Sequence, residues 1–576
     1  MKEYFPKEKP LVSLVGMGGG AGGYTLKKAG GKEYGITFVN ASNASYAPID
    51  NRFFINWGKV WVNGEYAYMI GAVKSSVQSP WTQSFEYTGF NVIKFLLEDS
   101  SVVWEKRMER DVTSSQGQRY LSGYGCHAIH FDSSGNIYLS ELILESRNNS
   151  TGYYSPFVTF YDTVKLSATN GSVMKFAHTE SVGRPLTSGN SAHNGEFANY
   201  MGFAQPQNPS DGPLTMFASR QVTGGSVDTG WGYHYWDQNL DSSTDVTVHV
   251  GYVSNSGSNN WTWGDQATTA AINLNPNTSD IVMLGVTNAC AYHRPSWHVR
   301  RSNRSTHAIV WEHVGDENWG GYSTGATGVG DLLKATDGVI APNDSVFVCG
   351  HWQQSQDWTT NVTTDRERLL LVKYDSSGNR SWHKCIDSEW SNSDGNLNDV
   401  GGGQFRAAAV VADSTHVYMV TGGIQNITGQ SIRGCALFCY THAGVLEWQR
   451  NIDINILRNT HSHVYFGGNA NIQFDADGDL IVSHSDSKCW FSYPKDGSLL
   501  SSSGDIQATV SNHDDTVPHP FHANPTYSSN NQNIAAVTPH LHASTTLQAT
   551  TNTVPSHYLS QSSNGWNSTH FTKVKF

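Results

Sequence analysis

Apolar stretches along this chain, separated by short polar turns, come in pairs. An apolar strand runs into a tight turn and a second apolar strand follows at once. One such pair spans residues 127–141 (HAIHFDSSGNIYLSE); others span 408–422 (AAVVADSTHVYMVTG) and 471–485 (NIQFDADGDLIVSHS). Copies begin near Gly58, His127, Gly202, Ala271, Asp337, Ala407 and Asn471, so the interval is 64 to 75 residues. In the turn Asp132-Ser133-Ser134-Gly135-Asn136, the Asp and Ser side chains can bond turn backbone groups, and glycine supplies the positive φ that closes a short hairpin. The flanks are rich in β-branched and aromatic residues. No long run repeats its apolar residues at helical spacing, so the chain reads as all-β.

A second hairpin follows each first one. It is clearest at 371–384 (LVKYDSSGNRSWHK) and 437–450 (LFCYTHAGVLEWQR), where Tyr374 precedes Trp382, and Tyr440 precedes Trp448, by eight residues. Trp104 and Trp311 hold the same place in less regular copies. Two hairpins per period make a four-stranded unit, which cannot bury both faces alone and must stack with its neighbours in a ring. The pairing of Asp132-Ser-Ser-Gly-Asn-Ile-Tyr-Leu139 with Val372-Lys-Tyr-Asp-Ser-Ser-Gly-Asn379 and the following Trp382 resembles the bacterial propeller repeats of the SBBP and PQQ-like type. Similar versions occur in virion and tail-fibre proteins of marine bacteriophages. The resemblance covers roughly residues 53–503 and implies a β-propeller. The expectation is seven clear four-stranded blades over 51–503, preceded by a Gly-rich segment 1–50. Residues 504–576, rich in Ser, Thr and His, are read either as a degenerate eighth blade or as ring closure, with Arg52–Asn56 as a partner strand.

Composition narrows the function more than the fold. With 37 Lys and Arg against 49 Asp and Glu, the net charge is −12, and only 15% of residues are charged. No basic stripe appears, so nucleic acid is not an expected partner. The first ten residues are charged and broken by prolines, and the apolar piece behind them gives way to glycines at Gly16. Neither a signal peptide nor a membrane span is therefore expected. Seven cysteines (126, 290, 349, 385, 435, 439, 489) lack metal-ligand spacing and read as reduced core residues. Leu11, Val12, Leu14, Val15 and Tyr24 are apolar anchors in the Gly-rich segment, which reads as a docking arm or as a disordered leader.

Chemical motifs are sparse. The Asp-Ser-Ser-Gly turns place glycine three residues after Asp132 and Asp375, not two as in sialidase Asp-boxes, so turn chemistry accounts for them. Asp475, Asp477 and Asp479 resemble part of a calcium loop but lack the downstream glutamate. His461 with His463, and His540 with His542, are His-x-His pairs whose rings would share one face of a strand. Three chains on an axis could then supply six nitrogens, as in the iron sites of trimeric phage fibres; the plainer reading is surface histidine, and no metal or cofactor is assigned. The blade tryptophans read as blade-on-blade packing, because they recur at one place. Trp231, Tyr233, Trp261 and Trp263 lie in irregular aromatic segments and are better candidates for sugar contact.

No catalytic motif is readable, so no enzyme is expected. The function expected is that of a structural bacteriophage virion protein, tail-associated (fibre, nozzle or tip) and assembled in the host cytoplasm. Its partners would be other virion proteins, further copies of itself, and a host surface glycan or receptor. An extracellular glycan-binding propeller is the alternative, and a polysaccharide hydrolase a more distant one.

Overall fold

The structure is a computed structural model that describes residues 34–39, 53–78, 85–109, 119–123, 129–148, 154–181, 203–204, 212–223, 226–241, 243–253, 266–272, 280–287, 296–303, 306, 308–314, 332–354, 366–386, 409–421, 434–453, 470–484, 489–498, 509–511, 540–542, 546–551 and 571–575. Every described element is a strand and every pairing between strands is antiparallel, so the all-β expectation holds. The strands form six sheets. The fourth is the simplest: Leu332–Ile340, Val346–Gln354, Arg366–Tyr374 and Arg380–Ile386 pair in chain order. The third (266–314) repeats it, as do the second (203–253) and fifth (409–453) with one extra edge strand each.

Six blades therefore replace the expected seven with a degenerate eighth. Two features produce the lower count. Copies beginning near Gly58 and His127 share one ten-stranded sheet, because the strand Arg119–Gly123 bridges them. It pairs with Ile137–Asn148 from Gly123↔Ile143 to Arg119↔Arg147, and touches Phe85–Leu96 at Tyr87↔Gly123. Among its described residues, the C-terminal segment forms no sheet of its own. Its strands Thr509–Ser511, His540–His542, Thr546–Thr551 and Phe571–Lys575 each cap the outer edge of a different sheet. An uncovered edge offers unpaired N–H and C=O groups, and these short polar strands satisfy them.

Ring closure also differs from expectation. Of the proposed partner strand Arg52–Asn56, the described residues Phe53–Asn56 pair not with the tail but with Ala72–Ser75, within the inner strand Phe53–Asn63 of the first sheet. The sixth sheet takes Ala470–Phe474, Leu480–His484 and Cys489–Tyr493 from the end of the repeat region and a fourth strand, Gly35–Val39, from near the start of the chain. Buried Tyr34 anchors that strand, its hydroxyl donating to Asp479 Oδ2 at 2.8 Å. First and sixth sheets are also joined directly, by Val60 N to Ser483 Oγ (2.7 Å) and Asn471 Nδ2 to Val60 O (2.6 Å). Inner strands touch their neighbours from Gln266–Ile272 through Leu332–Ile340 and Ala409–Ala412 to Ala470–Phe474, which meets Phe53–Asn63. The core consists of the apolar layers between adjacent sheets. In one such layer, Leu284 and Val299 of the third sheet meet Val346, Val348 and Leu370 of the fourth.

Antiparallel order sends the turns 341–345, 375–379 and 441–445 to one end of the ring, and the links between second and third strands, such as that from Gln354 to Arg366, to the other. Residues within 74–89, 142–156 and 220–230 continue as strands, the last closing at Thr223↔Ser226.

Candidate functional site

The tight-turn end is built from a repeated set of side chains. Asp132 Oδ1 accepts the backbone N–H groups of Ser134 and Asn136, both at 2.9 Å, and Asp375 and Asp475 do the same in their turns. Asp475 is thus a turn residue, while Asp479 accepts from the Tyr34 hydroxyl and the Lys495 backbone N–H. Each blade tryptophan packs across to the next turn. Trp104 Nε1 donates to Ala168 O (3.0 Å), Trp382 Nε1 to His442 O (3.0 Å) and Trp448 Nε1 to Lys495 O (3.2 Å). Their rings cover glycines at positive φ: a Cβ on Gly497 (φ +66°) would stand 2.6 Å from Trp448 Cγ. Packing between units is thus what these tryptophans do.

A lysine usually completes the set. In register, Tyr68 pairs with Lys94, Tyr138 with Lys165 and Phe347 with Lys373. Each ammonium donates to a turn carbonyl of the next unit: Lys94 to Ala168, Lys165 to Gln238 and Lys373 to His442. Lys165 also pairs with its own turn aspartate, Asp132, at 3.0 Å.

The fifth sheet departs from this rule. Tyr418 pairs in register with Cys439, so a buried thiol stands where the other copies place an ammonium. Its turn aspartate, Asp413, is neutralised from the opposite direction, by Lys495 Nζ of the sixth sheet at 3.3 Å. His416 Nε2 lies 3.0 Å from Glu447 Oε2, and His416 Nδ1 lies 2.7 Å from Thr415 Oγ1. The imidazole nitrogen, the Cys439 sulfur and the Glu447 carboxylate all lie within 4.8 Å of one another, the one such His/Cys/acid group among the described residues. Burial, reinforced by the charges of Glu447 and Asp413, pushes the Cys439 thiol up to about 12. Burial opposes ionisation of Asp413, yet the N–H groups of Thr415 and His416, the Thr415 hydroxyl and Lys495 hold it down to about 2. His416 and Cys439 come from adjacent strands and Glu447 from the next, so one sheet positions all three.

Histidine elsewhere on this end is kept neutral. Burial first, then Arg380 and Lys384, lowers His383 to about 4. The unfolded chain takes up this proton near pH 6.5 while the folded chain resists it down to about 4, so the stability this imidazole contributes is complete above pH 6.5 and lost as pH falls through that window. Thermal midpoints measured from pH 7 to pH 4 should fall less steeply for His383→Gln than for the native chain; parallel curves would contradict the assignment.

Among the docking-arm, sugar-contact and histidine candidates singled out from the sequence, only Trp231, Tyr233, His540 and His542 lie within the described residues. Leu11, Val12, Leu14, Val15, Tyr24, Trp261, Trp263, His461 and His463 lie outside the described residues. Trp231 and Tyr233 occupy Ser226–Trp236, a central strand of the second sheet, opposite Ala218 and Met216. His540 and His542 form a short edge strand opposite Thr247 and Asp245. His416, Cys439 and Glu447 were missed, although one signal existed: Phe438-Cys439-Tyr440 stands where another copy reads Val372-Lys373-Tyr374.

No protein-family model matches the chain, and no curated protein is similar to it. Among solved structures, the chain is similar to the Dos1 propeller (10% identity, TM-score 0.32, covering 77% of this chain and 95% of that one). It is similar also to the β-propeller domain of the Trilobed protease from Pyrococcus furiosus (9%, TM-score 0.31, 77% and 98%) and to polysaccharide lyase Uly1 (8%, TM-score 0.37, 76% and 89%). These likenesses concern shape alone; the propeller rests on the sheet order and on the contacts that close the ring.

Proposed function

We propose that this chain is a structural protein of a bacteriophage virion, tail-associated, whose ring is a rigid module for display and connection. The observation carrying this reading is the division of labour between the two ends. One end is committed to tight turns whose polar groups, tryptophans and lysines bind unit to unit. The other carries the remaining links between strands, from the short one between Thr223 and Ser226 to the longer one between Gln354 and Arg366. A module of this kind meets partners through many modest contacts, and copies repeated in a particle multiply weak affinities. The repeat pattern that resembles virion and tail-fibre propellers agrees with this reading, as does a low-charge, polar composition. Other virion proteins, copies of the same chain and a host surface glycan or receptor are the partners it implies.

Mass spectrometry of density-purified particles from an infected culture tests the assignment. Peptides of this chain should persist through purification at a constant ratio to capsid protein. Particles that infect but lack those peptides would rule it out.

A further inference from the structure

We propose that His416 Nε2, Cys439 Sγ and Glu447 Oε2 are the three protein ligands of a zinc ion bound at the turn end of the fifth sheet. Available protons fix the orientation of the His416 imidazole. Thr415 Oγ1 donates its only hydrogen to Asp413 Oδ1 at 3.0 Å, because a carboxylate can only accept. At 2.7 Å from that oxygen, His416 Nδ1 must therefore be the donor. The other ring nitrogen, Nε2, then turns its lone pair toward Glu447 Oε2 at 3.0 Å. Two lone pairs at that distance repel unless a positive charge lies between them.

A proton on Nε2 could supply that charge, but the third donor favours a metal. The copies with Lys94, Lys165 and Lys373 bring a cation to the position of Cys439. Here the cation is gone and a sulfur ligand stands in its place, beside Glu447 and Asp413, with Lys495 reaching Asp413. Nitrogen, sulfur and oxygen together suit a borderline-soft divalent ion rather than magnesium or calcium. Three protein ligands with water in the fourth position is an established zinc arrangement.

Supporting bonds match what such a site needs. A zinc-bound imidazole ordinarily donates its second N–H to an oxygen that is itself held, and the chain His416 to Thr415 to Asp413 does this. Two ligands about 2.0–2.1 Å from a tetrahedral zinc stand about 3.4 Å apart, so the 3.0 Å pair need open only slightly. Glu447 is 46% exposed and has room to move, while buried Cys439 holds the sulfur in place. On binding, the thiol proton leaves to solvent as the Zn–S bond forms, and the thiolate balances one charge of the ion.

Cobalt(II) tests the site on the full-length protein, stripped with chelator and kept reduced. The native chain should bind one Co²⁺, displaceable by Zn²⁺, with the thiolate-to-cobalt charge-transfer band in the near ultraviolet. Cys439→Ser should lose the band, and Cys435→Ala, altering a buried cysteine outside the cluster, should keep it. Glu447→Gln, at an exposed position that leaves folding intact, should weaken binding at least tenfold, and Thr415→Val about tenfold. A native chain without the band, or a band that survives Cys439→Ser, would overturn the proposal. So would unchanged affinity in Glu447→Gln, which stays decisive if Cys439→Ser fails to fold. A pure proton pair between His416 and Glu447 would show no cobalt band at all.

Discussion

Arg301→Ala should destabilise the folded ring by about 3–5 kcal/mol, read as a lowered urea midpoint. Arg301 is 3% exposed and ties two sheets together. Its Nε donates to Asp280 Oδ2 at 2.9 Å within the third sheet. Across the boundary, Nη2 donates to both carboxylate oxygens of Asp344 (3.2 and 3.1 Å) and Nη1 to Ser376 O at 3.4 Å. Truncation strands the Asp280 carboxylate, itself 5% exposed, without its cation. The cost is the penalty of a buried charge left uncompensated rather than the net value of the ion pair. Arg301→Met combined with Asp280→Leu should therefore recover much of the loss, since neither charge remains to be solvated. A single variant costing under about 1 kcal/mol would show that this cluster does not hold the boundary.

Trp490→Ala should cost a comparable amount, about 3–5 kcal/mol, because a large buried side chain vanishes from a packed interface. Trp490 is 1% exposed in the sixth sheet, and its ring stacks on Phe95 of the first sheet with centroids 5.7 Å apart. Val60, Met69 and Ile93 complete the same cluster. This is where the late part of the chain meets the early part, so the cavity would open at the ring closure. Trp490→Phe should restore part of the stability by refilling the volume. Val445→Ala, at a turn residue 60% exposed, should change the urea midpoint by less than about 0.5 kcal/mol equivalent. Equal effects at Trp490 and Val445 would mean that closure is not held by this packing.

Legibility followed burial. The hairpins at 127–141, 408–422 and 471–485 were readable because their strands are short runs of apolar, largely buried residues on either side of a polar turn. Their Asp and Gly turns were readable because only certain residues adopt that backbone, and Gly135, Gly378 and Gly478 indeed have positive φ. Trp104, Trp382 and Trp448 were rightly taken as packing residues from their recurrence alone. The blade count was not readable. Arg119–Gly123 is only five residues long, and a single pairing at Tyr87↔Gly123 joins two copies into one sheet. The tail strands were equally silent, since Phe571–Lys575 looks like a blade strand whether it founds a sheet or caps one.

The cluster at His416 marks the same boundary more sharply. Its members are 23 and 8 residues apart, a spacing that matches no ligand motif. Antiparallel pairing makes Tyr418 and Cys439 neighbours, and the bulge between Cys439 and Tyr440 shifts the register of the strand that carries Glu447. By itself, then, the order of residues determined what is local and periodic: the strands, their turns, the all-β class and the need to stack. Tertiary structure alone decided how many sheets those strands share, which distant segment closes the ring, and which side chains meet there. The physical reason is that alternation and turn propensity act over a few residues, whereas edges, registers and clusters form between segments that only the folded ring brings together.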